Sequence, residues 1–214
     1  MKDLFITSVG SHMWSMQTPE SDVDLMVVYQ EGTRDILEGQ RISQTLPDKS
    51  FTRDGMLIDQ KEQEIGHLVN KIISGNINAI WTVCTPLVIQ DHPYLSELRE
   101  ITKENLSTAS YASIKGMTIS QMKDIEKRKG VMPVYKAART AIRTCRFGIR
   151  LLSSGTLIFK SDDLLRTKPT ANDVEQYLLA LEDAYESSNL PDYPNDRPFK
   201  EFLFRIRMEE LNGW

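Results

Sequence analysis

Two aspartates, Asp22 and Asp24, are the residues whose type and spacing best suit chemistry. They stand one residue apart in the apolar segment SDVDLMVVY, and residues i and i+2 of a β-strand point to the same face. Strands disfavour aspartate, and two neighbouring carboxylates repel each other unless a cation neutralises them. Hard divalent ions such as Mg²⁺ are held by one or two carboxylates together with phosphate oxygens. The pair therefore predicts a divalent metal site; the alternative is an exposed edge strand that binds no ion.

A glycine and a serine, Gly10 and Ser11, lie between the first apolar run and this aspartate pair. Glycine allows a ligand to approach the backbone closely. We expect Ser11 to cap a short helix that Pro19 stops, so that free N–H groups at its start favour an anion. The sequence thus predicts a phosphate group beside the metal.

A second set of charged residues forms a one-sided basic row. It recurs at steps of three and four residues, opposite an apolar face, and consists of Lys136, Arg139, Arg143, Arg146 and Arg150. Like charges at this spacing are mildly destabilising, which indicates an anionic partner. That partner could be a triphosphate, a nucleic-acid backbone or carboxylates in the N-terminal part of the chain.

The elements that must position these residues divide the chain in two. Residues 4–9, 23–29 and, more weakly, 56–59 have the character of strands, and an amphipathic helix runs from Ile65 to a stop at Gly75-Asn76. Beyond residue 93 the patterns predict helices only, at 94–104, 107–128, 133–154, 172–187 and 198–211. We therefore predict an α+β domain over residues 1–93 and an all-helical domain over residues 94–214.

Composition excludes several classes of protein. The chain has 214 residues and a net charge of −4, which argues against nucleic-acid binding through bulk charge alone. Its two cysteines, Cys84 and Cys145, stand far apart, so neither a disulfide framework nor a thiolate zinc site is expected. The chain contains no apolar run of membrane-spanning length and no secretory pattern. We expect a soluble, unprocessed cytoplasmic protein that does not bind a membrane.

The segment VGSHMWSMQTPESDVDLMVV resembles the hG[GS] plus [ST]DxD signature of the DNA polymerase β-like nucleotidyltransferase superfamily. It is most similar to the subgroup of predicted nucleotidyltransferases that includes RNA-repair-associated members. Asp59 stands where that subgroup has a third carboxylate, and residues 141–157 resemble its arginine-containing helical segment. Trp14-Ser15 departs from the subgroup's usual Tyr-Gly.

This resemblance implies a fold and a set of site residues. The fold would be a mixed sheet with flanking helices, followed by a C-terminal helical domain. Two Mg²⁺ or Mn²⁺ ions would be held by Asp22, Asp24 and Asp59, and Asp59 would help to activate an acceptor hydroxyl. Nucleotide would be bound by Gly10 and Ser11, at its β- and γ-phosphates, and by Ser21 and Arg143. Asp54, Glu62 and Glu64 are the alternative third ligands, although Glu64 is better explained as an acid in the first turn of a helix.

The activity implied by the resemblance is transfer of a nucleoside monophosphate from a nucleoside triphosphate, such as ATP, to a hydroxyl of RNA or protein, with release of pyrophosphate. Two alternatives remain open. One is a catalytically degenerate module that binds nucleotide or RNA, and the other is an antitoxin-like interaction protein. The nucleotide base, the acceptor and the oligomeric state are not readable from the sequence, because pocket-lining loops follow no periodic pattern.

Overall fold

The computed structural model describes residues 2–39, 46–127 and 135–213. The chain forms two compact units. The sheet unit comprises residues 1–13, 17–105 and 195–214, and the helical unit comprises residues 14–16 and 106–194. The predicted α+β class, a mixed sheet with flanking helices and a helical part, is confirmed.

The sheet unit is built on five strands. They are β1 (Lys2–Ser8), β2 (Val23–Gln30), β3 (Lys49–Arg53), β4 (Met56–Glu64) and β5 (Val88–Gln90), in the spatial order β3-β4-β2-β1-β5. Strands β2 and β4 are parallel, and every other neighbouring pair is antiparallel. The sequence predicted β1, β2 and the start of β4. It missed β5, which has only three residues, and β3, whose five residues are all exposed and therefore show no apolar alternation.

In chain order, the helices of the described residues are α1 (Gly10–Met13), α2 (Thr33–Leu37), α3 (Ile65–Ile73), α4 (Ile77–Cys84), α5 (Pro93–Glu104), α6 (Ser110–Lys127), α7 (Tyr135–Ser154), α8 (Ala171–Glu186) and α9 (Arg197–Asn212). Helix α3 has the predicted buried face, and Gly75 follows it with φ +75°. Helix α4 was not predicted: seven of its eight residues are buried, so it lacks the polar face that marks an amphipathic helix. None of the described helices is long and apolar enough to cross a membrane.

The helical unit is a bundle of α6, α7 and α8 with a short 3-10 helix at Asp162–Arg166. The helices approach closely at Gly148, where an added Cβ would lie 2.7 Å from Leu181 and 2.9 Å from Ile114. Trp14 belongs to this unit and is fully buried against Phe147, edge to face at 5.6 Å between ring centroids. This single residue from the N-terminal segment therefore contributes a large share of the aromatic core of the bundle.

The last helix, α9, packs in the sheet unit against α2, α3 and α5. Its Phe199, Phe202 and Ile206 are buried, and the side chain of Gln30 donates to the Ile206 carbonyl at 3.2 Å. The boundary at residue 93 stays a prediction. The two compact units divide the chain differently, because α5 and α9 pack with the sheet.

Candidate metal centre

The three aspartates implied by the sequence resemblance lie together in the sheet unit. Asp22 directly precedes β2, Asp24 is its second residue, and Asp59 lies on β4. Because β2 and β4 run parallel, Asp24 and Asp59 are register partners. One carboxylate oxygen of each residue lies within 4.8 Å of the other two, and all three residues are half-buried. Residues 35 positions apart in sequence, Asp24 and Asp59, are thereby joined in one acidic cluster.

The chemistry of this donor set fits a hard divalent cation. All three ligands are carboxylate oxygens, which Mg²⁺ and Mn²⁺ prefer over the softer nitrogen and sulfur donors. Three carboxylates at this separation repel one another, and a bound divalent ion would relieve that repulsion. The cluster of Asp22, Asp24 and Asp59 could therefore bind a metal ion.

Gly10 lies against this cluster, and both its backbone and its surroundings require glycine. Its φ is +65°, a conformation that L side chains rarely adopt. A Cβ at this position would lie 1.7 Å from Oδ2 of Asp24, a distance that no side chain can keep. The neighbouring Val9 N–H donates to the Asp24 carbonyl at 2.9 Å, which holds the two segments together. The backbone at Gly10 thus lies directly against the Asp24 carboxylate of the acidic cluster.

The short helix after this bend differs from the prediction. Helix α1 spans only Gly10–Met13, so Ser11 lies inside it and the prediction of Ser11 as its cap is wrong. Gly10, whose φ is +65°, is the first residue of this helix. The hydroxyl oxygen of Ser11 and Nε2 of His12 are shielded from solvent and have no hydrogen-bond partner among the described residues. Shielded polar atoms normally find a partner, so these two are available to a ligand.

Ser21 has a structural bond of its own. Its hydroxyl accepts the Thr18 N–H at 2.9 Å, and its own N–H donates to the Thr18 carbonyl at 3.0 Å. These two bonds close a turn over residues 18–21 that leads Asp22 into the cluster. A nucleotide contact by Ser21 stays a prediction.

The basic row on α7 has partners within the helical unit. Arg139 donates to the Thr167 carbonyl, and Arg146 pairs with Asp163 at 2.6 Å. The Arg146 guanidinium holds the pKa of the Asp163 carboxyl below its ordinary value. These bonds account for part of the charge row without any external anion.

Arg143 is placed differently from its neighbours on α7. Its guanidinium lies over the ring of Trp14, 5.4 Å from the centroid, in a cation–π contact. The nucleotide-binding role that the resemblance implies for Arg143 stays a prediction.

The alternative third ligands lie outside the cluster of three aspartates. Asp54 is exposed in the turn between β3 and β4, 3.8 Å from Arg53. Glu62 is buried and pairs with Lys49. Glu64 caps α3, where it accepts the Gly66 N–H at 2.6 Å, in agreement with its interpretation as a helix-start acid.

The structure adds one residue that the sequence did not reveal. The hydroxyl of Ser50 donates to Oδ1 of Asp59 at 2.5 Å. Ser50 was missed because β3 was not predicted. A usable signal was present in the Asp54-Gly55 turn, since a two-residue hairpin turn places Ser50 opposite Asp59.

Thiol chemistry has no support at this site. Burial raises the pKa of the Cys84 thiol to about 12 and that of Cys145 to about 11, so both remain protonated at neutral pH. Neither cysteine is therefore a candidate nucleophile.

Comparison with known proteins finds a likeness to solved structures. No protein-family model matches the chain, and no curated protein matches it. A solved structure similar to the chain is that of a nucleotidyltransferase-like protein from Exiguobacterium sibiricum 255-15. The identity is 15%, the TM-score is 0.36, and the match covers 97% of this chain and 74% of that one. A likeness at this level carries no functional argument, so the activity has to follow from the chemistry of the site.

Proposed function

We propose that this chain is a metal-dependent nucleotidyltransferase. It would move a nucleoside monophosphate from a nucleoside triphosphate to a hydroxyl of an RNA or a protein and release pyrophosphate. The observation that carries this proposal is the cluster of Asp22, Asp24 and Asp59, with oxygens within 4.8 Å of one another. The bend at Gly10 supports it, because its backbone lies directly against Asp24.

The acidic cluster would hold one or two Mg²⁺ or Mn²⁺ ions. Two ions about 3.5–4 Å apart stabilise both the attacking and the leaving oxygen of an in-line displacement, and they need shared carboxylates. Asp24 lies on β2, directly after Asp22, and Asp59 lies on the parallel strand β4. The pairing of the two strands therefore sets the backbone positions from which the carboxylates meet.

The residues of the chain have distinct tasks in this reaction. The hydroxyl of Ser11, which has no hydrogen-bond partner within the described residues, donates to a phosphate oxygen, and the glycine backbone at Gly10 leaves room for the polyphosphate. Asp59 accepts, at its carboxylate, the proton of the acceptor hydroxyl. The acceptor oxygen forms a bond to the α-phosphorus as the bond from that phosphorus to pyrophosphate breaks.

A labelling experiment tests the proposal. The protein is incubated with each α-phosphate-labelled nucleoside triphosphate, with Mg²⁺ or Mn²⁺, and with candidate RNAs and proteins. Label transfer and pyrophosphate release are measured for the wild type, Asp22→Ala and the control Asp54→Asn, which removes an exposed charge outside the cluster and keeps a residue that tolerates the left-handed turn. We expect the wild type and the control to transfer label and Asp22→Ala to lose transfer.

Two outcomes would assign a different function. Triphosphate binding without pyrophosphate release would indicate a degenerate binding module. A stable complex with another protein that Asp22→Ala leaves intact, with no nucleotide bound, would indicate an interaction protein. The proposal includes the RNA-repair-associated subgroup and a cytoplasmic location, and the experiment identifies the acceptor among the RNAs and proteins supplied.

A further inference from the structure

We infer that Ser50 is a positioning residue for Asp59, holding its carboxylate in the orientation that binds the divalent ion. The inference rests on the proposed function, because it assigns a role at the same metal site. Ser50 is not itself one of the three carboxylate ligands. It would act through the hydrogen bond that its hydroxyl donates to Oδ1 of Asp59.

The hairpin of β3 and β4 places the serine beside this carboxylate. Asp54 and Gly55, at the turn, have φ values of +51° and +78°, the left-handed pair that fits a tight two-residue turn. Counting back from the turn, Arg53 pairs with Met56 and Ser50 with Asp59. Cross-strand partners point to the same face, so the serine hydroxyl and the carboxylate meet. The register thus places the Ser50 hydroxyl beside Asp59, one of the three candidate metal ligands.

The hydrogen bond is of the strong, charge-assisted kind. The donor and acceptor oxygens are 2.5 Å apart, the length typical of a hydroxyl bound to a carboxylate. The terminal torsion of an aspartate is otherwise broad, so a half-buried carboxylate without such a bond can turn. A hydroxyl on Oδ1 fixes the plane of the group and leaves Oδ2 and the remaining lone pairs for a cation.

Fixed carboxylates bind metal more tightly than mobile ones. Partners that hydrogen-bond to a metal ligand are worth about 10- to 100-fold in metal affinity or activity. The edge position of β3 makes this bond more important, because β3 is the neighbour of β4 on that side of the sheet and all five of its residues are exposed. Loss of the Ser50 hydroxyl should therefore loosen Asp59 without removing any part of the core.

Manganese binding tests the inference directly. Free Mn²⁺ is followed by electron paramagnetic resonance during titration of the full chain, without nucleotide. The variants are Ser50→Ala, Ser50→Thr, which retains a hydroxyl, and the control Thr52→Ala, which removes a hydroxyl from the next residue on the same face of β3. We expect Ser50→Ala to bind Mn²⁺ about tenfold more weakly or worse, and the other two variants to match the wild type.

A kinetic measurement separates positioning from catalysis. If Ser50 only orients Asp59, a high Mn²⁺ concentration should restore the transfer rate of Ser50→Ala to that of the wild type. Wild-type Mn²⁺ affinity in Ser50→Ala, or an equal loss in Thr52→Ala, would overturn the inference. Circular dichroism checks that each variant keeps its secondary structure. Should the alanine variant fail to fold, Ser50→Val, a β-branched residue that also lacks the hydroxyl, should show the same loss of Mn²⁺ affinity.

The outcomes also separate this inference from the proposed function. Tight Mn²⁺ binding that depends on Ser50, without nucleotide transfer, would support the inference about Ser50 and contradict the proposed nucleotidyltransferase activity. Nucleotide transfer by the wild type, together with an Mn²⁺ affinity that Ser50→Ala leaves unchanged, would support the proposed function and contradict the inference about Ser50. A wild type that binds no Mn²⁺ would overturn both.

Discussion

Replacing Gly10 by alanine probes the contact between the bend and the acidic cluster. The added Cβ would lie 1.7 Å from Oδ2 and 2.5 Å from the carboxyl carbon of Asp24. Real Cβ atoms essentially never come within 3.0 Å of another heavy atom, so the oxygen must move by at least the difference, 1.3 Å. The backbone cannot absorb this movement freely, because the Val9 N–H is bonded to the Asp24 carbonyl. We expect the Asp24 carboxylate to leave its present position.

The size of the effect follows from this displacement. Moving a catalytic group by about 1 Å can reduce a rate about a hundredfold. The left-handed backbone adds a stability cost of about 1–2 kcal/mol for any residue with a Cβ. Gly10→Ala should therefore lose about two orders of magnitude in nucleotide transfer, while its loss of stability stays modest.

The assay pairs this variant with a matched glycine. Gly155 has the same φ, +65°, but nothing lies within 4 Å of its added Cβ. Gly155→Ala thus carries the backbone strain without the collision. Both variants are compared in urea denaturation, in Mn²⁺ titration and in label transfer.

The two variants should lose similar stability and differ sharply at the site. Gly10→Ala should bind Mn²⁺ more weakly and transfer little label, whereas Gly155→Ala should behave as the wild type in both measurements. Unchanged Mn²⁺ affinity in Gly10→Ala would refute the reasoning, because it would mean that Asp24 does not need the space that glycine provides. An equal defect in Gly155→Ala would attribute the loss to backbone strain.

Three further substitutions test the packing and the electrostatics of each unit. Trp14→Ala should destabilise the helical unit by about 3–5 kcal/mol, measured by urea denaturation, because it removes a fully buried ring that contacts Phe147. Arg207→Met should cost the sheet unit about 3 kcal/mol in the same assay, because it leaves the Glu64 carboxylate, only 6% exposed, without its cation. Burial lowers the pKa of His92, so the unfolded chain takes up protons first and stability should fall as the pH drops through 6.5. In His92→Asn, which retains a cap for α5, pH titration of the unfolding free energy should show this loss diminished.

Each of these three predictions has a control variant or a result that would contradict it. Trp14→Phe should recover part of the loss, and an alanine variant as stable as the wild type would contradict the packing argument. The double variant Glu64→Gln with Arg207→Met should be less than additive, since the two groups interact directly. An unchanged pH profile in His92→Asn would show that its imidazole does not titrate with folding.

The sequence by itself determined the local features of this protein. The periodic apolar pattern places α3 and the last helices within a few residues of where they lie, because one side of each packs in a core. Asp22 and Asp24 stand close in the chain, so their nearness at the start of β2 was already implied. A glycine at position 10 also marked a bend, although not the start of the helix.

Only the tertiary structure decided which distant residues meet. The parallel pairing of β2 with β4 brings Asp59 to Asp24, and the sequence could indicate that meeting only through family resemblance. Ser50 reaches Asp59 because β3 is paired in the register set by the Asp54-Gly55 turn. Strand pairing depends on contacts between separate segments, which no pattern within one segment contains.

The packing of the helices was likewise not predictable from the sequence alone. Helix α4 is buried on nearly all sides and so displays no period, and α9 joins the sheet unit through residues such as Gln30 and Arg207 that are far apart in sequence. An amphipathic pattern shows which face of a helix is buried but not what covers that face. The sequence thus determined most of the helices and strands and the chemical groups that they carry. The packing between these elements decided that three carboxylates form one cluster.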